Sequence, residues 1–212
     1  VMWLRSVLYP GLRYFVIVDR VLAEESHRVS FLFHLSSLSK ERTHGKKIPG
    51  RVLGELTLEG ERIEWAKEVS RDILNADKQV VYVEERKGCR SAQWNVTNVW
   101  GKPISLKIVS SPEPESLQVG RTWGFIPLVK APYEGSGEVD HPFLCFENRT
   151  DRLARVTILF PSIEESRAEF YFPKMKKGSG IAVHEGSTVD FVAAGLGGVE
   201  GPEFKSDAEV LF

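Results

Sequence analysis

The chain has 212 residues, enough to bury about 70% of its unfolded surface without disulfides or metals. Its 28 basic and 29 acidic side chains nearly cancel, to −1, which removes the overall field expected of a nucleic-acid or membrane-surface binder. A 42% hydrophobic content, with 10% of all residues aromatic, argues against disorder, and no apolar run nears the ~18 residues a bilayer demands.

The chain begins VMWLRSVLYPG, with neither an initiator methionine nor a signal-peptide pattern, and closes on the strand-like AEVLF. Both ends read as cuts through structure, so a fragment of a longer protein is expected. Short runs of Val, Ile, Phe, Tyr and Trp, punctuated by Gly, Pro, Asn, Asp and Ser, then follow one another. Strands are expected near Trp3–Tyr9, Tyr14–Val21, Arg28–Leu35, Arg51–Leu58, Arg62–Trp65, Gln79–Glu84, Trp94–Trp100 and Ile104–Val109. They continue near Phe143–Glu147, Ala154–Phe160, Glu169–Phe172, Thr188–Ala193 and Ala208–Phe212. Alternation puts Val29, Phe31, Phe33 and Leu35 on one face of their strand, while Tyr14–Val18 is apolar on both.

Helix is scarce. Glu61–Ala76 is the best candidate, with Ile63, Ala66, Val69, Ile73 and Leu74 on a stripe. Loops are expected at Ser110–Glu115, Tyr133–Asp140 and Lys174–Gly180, and a turn at Gly195–Gly198. The expectation is an all-β fold: a large antiparallel β-sandwich of about a dozen strands with at most one or two short helices, forming a single domain over 1–212.

The chain lacks a phosphate-binding loop, HExxH, CxxC and GxSxG, so phosphoryl transfer, zincin chemistry and the serine-hydrolase elbow have no support in the sequence. Cys89 and Cys145 stand far from any zinc spacing, and two buried thiols are favoured over a disulfide. Asn95-Val-Thr97 and Asn148-Arg-Thr150 match the glycosylation tripeptide, a short pattern with meaning only on an exported chain.

Asp19, His27 and His34 would approach one another as weak metal-ligand candidates if their strands formed a hairpin; otherwise His27 belongs to a turn and His34 to a hydrogen-bonded strand position. Asp140-His141-Pro142 reads as a strand-entry turn. Trp94, Trp100, Trp123 and Tyr133, with Arg121 among the neighbouring cations, are candidate saccharide contacts, since flat rings suit the apolar faces of sugars and guanidinium suits carboxylates and sulfates. The competing role for the tryptophans is to fill a thick sandwich core. Single-stranded nucleic acid, the other partner such a mixture could take, is disfavoured by the balanced charge.

Trp3-Leu4-Arg5-Ser6-Val7-Leu8-Tyr9, then Tyr14-Phe15-Val16-Ile17-Val18-Asp19-Arg20-Val21, then His27 and Phe31-Leu32-Phe33-His34-Leu35, resembles a passage of the heparinase II/III-like C-terminal domain, a large β-sandwich. The resemblance is clearest over residues 3–35, with a weaker echo in Ser187–Phe212. It implies a parent polysaccharide lyase acting by β-elimination on acidic polysaccharides. The sequence does not decide location, an extracellular or cell-envelope one being slightly favoured. The family's base lies chiefly in an upstream α/α toroid, and a His-rich metal-binding stretch opens the sandwich. No residue here matches either, so no catalytic residue is transferred and no cofactor is assigned, a divalent metal being a matter for the parent. The resemblance assigns Asp19 and His34 structural roles. The chain is accordingly expected to support an upstream catalytic domain and to line the saccharide cleft, the alternative being a stand-alone carbohydrate-binding or protein-interaction sandwich.

Overall fold

Two very long strands dominate the computed structural model, which describes residues 1–35, 54–63, 80–97, 102–125, 138–163 and 167–212. Strand β1 (Met2–Leu8) leads through a one-turn 3-10 helix (Pro10–Leu12) into β2 (Phe15–His34). There follow β3 (Gly54–Leu58), β4 (Glu61–Arg62), β5 (Val80–Lys87), β6 (Ser91–Thr97), β7 (Pro103–Ser111), β8 (Ser116–Phe125) and β9 (Glu138–Ser162). The chain ends with β10 (Glu169–Tyr171), β11 (Ser179–Glu185), β12 (Thr188–Ala194), β13 (Val199–Glu200), β14 (Lys205–Ser206) and β15 (Val210–Leu211).

All strand pairings are antiparallel, and the large sheet runs β1-β2-β9-β7-β6-β3-β4. Strand β9 is its spine. Strand β2 covers one edge of it from Phe143 to Leu159. The other edge is divided: β8 takes residues 138–147 and β7 takes 156–162. The sheet therefore forks at β9, and a smaller sheet, β10-β11-β12-β15, packs against it.

This forking makes two apolar cores. The first gathers Phe31, Leu56, Trp94, Ile108, Leu117, Leu144 and Phe146 between the diverging arms. The second packs Val16, Val18, Val156 and Ile158 against Ile181, Val183, Val192 and Ala194 of the smaller sheet. Strand pleating explains the division: Ile108 faces the first core and its neighbour Val109 the second. The face expected of β2 is formed as read, with Phe31 and Leu35 inside the first core and Val29 and Phe33 packed on it.

Several expectations are corrected. Tyr14–Val21 and Arg28–Leu35 belong to one strand, because β9 pairs with both across a bulge in which Ala23–Ser26 stand between Leu22 and His27. Phe143–Glu147 and Ala154–Phe160 are likewise one strand. Asp140-His141-Pro142 is not a turn: it lies within β9, opposite Trp123, Thr122 and Arg121 of β8. Proline is tolerated there because β2 is ending. The Pro142 carbonyl accepts from Leu35 N–H at 2.8 Å, and the missing N–H costs only a last rung. The helix expected from Glu61 begins instead with β4, followed by Ile63 buried in the first core; the remainder of that segment lies outside the described residues. No helix among the described residues is long and apolar enough to cross a membrane.

The loop at Ser110–Glu115 begins as β7 ends and contains a cis Ser111–Pro112 bond. It closes the fork: Glu115 N–H donates to the Glu147 carbonyl at 2.9 Å, and the Asn148 amide donates to the Glu113 carbonyl at 3.3 Å.

Candidate functional site

Residue 19 faces away from Val16 and Val18, which point to the second core, so alternation turns Asp19 toward the first. Its cross-strand neighbours are Arg5 on β1 and Arg155 on β9. Asp19 and Arg155 are both completely buried. The Asp19 carboxylate accepts from Trp3 Nε1 at 2.8 Å, from Arg5 Nε at 2.7 Å and from Arg5 Nη2 at 3.0 Å. A bidentate guanidinium and an indole N–H on one desolvated carboxylate make charge-assisted bonds of the stronger kind.

Arg155 lies between the rings of Phe31 and Phe146, its guanidinium carbon 5.0 and 5.8 Å from their centroids. It donates to Ser110 Oγ at 2.5 Å and to Asn148 Oδ1. Burial lowers it to about 10, with the charge of Asp19 acting in the opposite direction, so it remains protonated at neutral pH. Polar groups thus cross β1, β2, β9 and β7 as a single seam, positive in excess because Arg5 and Arg155 flank one carboxylate.

Two further clusters pin strands together. The nearly buried Glu147 accepts from Arg28 Nε at 2.9 Å, Arg28 Nη2 at 2.5 Å, Ser30 Oγ at 2.9 Å and Gln118 Nε2 at 2.9 Å, tying β2, β8 and β9. Asp190 on β12 accepts from Tyr14 Oη at 2.8 Å and from Arg13, which also reaches Glu185 at 3.2 Å. Burial, reinforced by Asp190, pushes the Tyr14 hydroxyl well above its ordinary value, so it holds its proton and is unsuited to act as a base.

Of the residues expected from sequence, Trp94, Asp19, His27 and His34 lie wholly among the described residues. Trp94 is 3% exposed in the first core, so close over Gly54 that a Cβ there would come within 2.2 Å of its ring. Of its two expected roles, core filling is the one that fits this position, and no face of the ring is open to a sugar. The backbones of Arg121 and Trp123 lie on β8, but their side chains, like Trp100 and Tyr133 entirely, fall outside the described residues. The hairpin that would gather Asp19, His27 and His34 does not exist, because all three lie along β2, paired in turn with Arg155, Thr150 and Phe143. Asp19 and His27 are on the order of 20 Å apart at the rise of a strand. Among the described residues no three His, Cys, Asp or Glu side chains are placed to hold a metal ion.

Cys89 and Cys145 are free and buried, and burial pushes both thiols up to about 11. The seam also contains Trp3, 56% exposed, and Arg5, whose guanidinium carbon sits 5.0 Å from the Trp3 ring centroid; the sequence analysis gives both a strand and the family-like passage but no site role. The available signal was the Trp-x-Arg spacing, which puts both on one face of β1.

No family model matches the chain, and no curated protein matches it. Among solved structures, heparan sulfate lyase HepC from Pedobacter heparinus is 16% identical with a TM-score of 0.46, and a heparinase III gene product is 15% identical with a TM-score of 0.47. Each likeness covers 91% of this chain and 23% of the other, so the chain spans under a quarter of the length of these neighbours. Likeness at this level carries neither fold nor activity to the chain.

Proposed function

We propose that this chain is the non-catalytic β-sandwich portion of a heparinase II/III-like glycan-processing protein, supporting a catalytic domain carried elsewhere in the full-length protein. One observation carries the reading. Arg5 and Asp19, two positions of the family-like passage fourteen residues apart, meet as a bidentate ion pair on a fully buried carboxylate. A buried carboxylate needs a partner, and the one Asp19 finds is another charged position of the same passage.

The roles of the remaining charged groups support the same reading. Asp19, Glu147 and Asp190 are each occupied by arginine and by further hydrogen-bond donors that join strands, an arrangement suited to rigidity. Support of a neighbouring domain requires such rigidity, since a catalytic cleft must be held to within a fraction of an ångström.

The test compares this chain alone with its natural full-length protein on heparan sulfate and on alginate, reading the ultraviolet absorbance of the unsaturated uronate released by β-elimination. The expected result is product from the full-length protein and none from this chain alone. Turnover by this chain unaided, or inactivity of the full-length protein on every uronate polymer, would overturn the proposal.

A further inference from the structure

Asp19 on β2 and Arg155 on β9 are direct cross-strand partners, opposite in charge and both at zero exposure, yet no bond joins them. Asp19 turns to β1, where Trp3 and Arg5 hold its carboxylate. Arg155 turns to Ser110 Oγ and Asn148 Oδ1. Each keeps one group unused. Arg155 Nε is buried without a hydrogen-bond partner among the described residues, and an unmet donor in a core costs more than a typical bond contributes. Asp19 Oδ1 accepts twice, from Trp3 Nε1 and Arg5 Nε, whereas Oδ2 accepts only from Arg5 Nη2 and has room for a further donor. Cross-strand partners hold their Cβ atoms about 5 Å apart, so the orphan donor and the open acceptor border the same interstrand space.

We propose that one water molecule is bound between Arg155 Nε and Asp19 Oδ2, accepting from the first and donating to the second. The chemistry of the two atoms selects the ligand. A halide would accept from Nε but face a carboxylate, and a metal cation would bind the carboxylate but face the guanidiniums of Arg5 and Arg155. A molecule that both accepts and donates meets both needs. Thr157, next on that face of β9, is completely buried, and its Oγ1 lies 3.4 Å from Ser110 Oγ. Its hydroxyl supplies a third partner, matching the roughly three bonds that a buried water makes.

The water makes the seam continuous, from Trp3 and Arg5 through Asp19 and Arg155 to Ser110 and Thr157. It links two buried charges that do not touch each other. Because both side chains are fully enclosed, the water exchanges with solvent only when the surrounding strands part. The inference concerns the seam alone and does not depend on the glycan-processing reading.

The test follows the Arg155 Nε–H resonance of this chain by NMR, together with the relaxation dispersion of isotopically labelled water, which counts molecules held for longer than the protein tumbles. The expected result is a nuclear Overhauser cross-peak between Arg155 Nε–H and water, with the sign of a rigidly held molecule and no change when chloride is replaced by nitrate. Thr157→Val should keep the cross-peak, since the two charged partners remain. Its disappearance there would assign the signal to relay through the threonine hydroxyl and overturn the site. Arg155→Met, which fills the space without a donor, should lower the dispersion by the amplitude of one molecule, and an undiminished amplitude would count against the proposal in the same way.

The native cross-peak requires no variant, so the site stays testable if Arg155→Met does not fold. Absence of that cross-peak overturns the proposal, and an upfield-shifted Nε–H would then make the ring of Phe31 or Phe146 its acceptor. A resonance that moves with the anion would place a halide at Nε, which overturns it equally.

Discussion

On one side of β2 and β9, Asp19 and Arg155 lie at zero exposure among Phe31, Phe146 and Leu144; on the other, the interior is Val16, Val18, Val156, Ile158, Ile181 and Val192, and charge stays at the rim, where Arg13 meets Asp190 and Glu185. The contrast follows from position. The second core closes between two sheets that meet face to face, so apolar side chains, Tyr14 and Phe160 among them, fill it. The first core sits where β9 loses one neighbour at Glu147 and gains the next at Val156. That gap leaves Asn148, Ser110 and the peptide groups around them needing partners, and a guanidinium with five N–H groups supplies donors where an aliphatic side chain supplies none.

Removing the buried carboxylate should have the largest effect. Asp19→Ala leaves Arg155 in an apolar cage without its nearest carboxylate and releases Arg5 and Trp3, so urea denaturation should register a loss of about 3–5 kcal/mol. A loss below about 1 kcal/mol would mean the two cores do not differ as described. In the second core the cost should be one of cavity alone. Ile181→Ala should lose about 2–4 kcal/mol while leaving the Trp3 indole resonance in place, because no charge is exposed by the change.

The rim should be weaker still. Tyr14→Phe deletes the 2.8 Å bond to Asp190 and keeps the packed ring, giving about 1 kcal/mol by the same denaturation experiment. Arg28 is largely exposed although its partner Glu147 is not, so Arg28→Ala should cost less than the Asp19 change. An equal or larger loss would locate the critical charge in the Glu147 cluster and not in the seam.

The thiols provide a comparison across pH. Folding raises Cys89 and Cys145 from an ordinary 9.0 to about 11, so between these values the unfolded chain has released protons that the folded chain retains. Stability should be unaffected by the thiols below about pH 9 and fall as pH rises through that window. A Cys89→Ala, Cys145→Ala double variant should show a shallower decline in alkaline denaturation curves. In the native protein at pH 8, both thiols should resist a thiol-reactive dye until denaturant is added.

Strand identity was legible wherever neighbours in sequence decide it. Val29, Phe31, Phe33 and Leu35 alternate with polar partners, and their shared face is in the core. Strand length was not legible. Glu24, Glu25 and Ser26 in β2, and Asn148 to Asp151 in β9, are residues that ordinarily mark turns, yet both strands pass through them because each supplies the other with a ladder across the interruption. The same limit explains the tryptophans. Trp3 and Trp94 both sit on strands of ordinary composition; one lies on the edge strand β1 and is open to solvent, the other lies between β3 and β7 and is enclosed. Strand order in a sheet is fixed by pairing across long sequence separations, which local periodicity does not encode. The Arg5–Asp19 pair was not legible, since spacing alone does not say that two strands will align those positions.

The Arg5–Asp19 bond is the observation on which the proposed function rests, and a double-mutant cycle of Arg5→Gln and Asp19→Asn in urea denaturation measures it directly. A bidentate bond to a fully buried carboxylate predicts a coupling of at least about 1.5 kcal/mol. Single effects that add to within about 0.5 kcal/mol would show that the two residues do not act together, and would contradict the account.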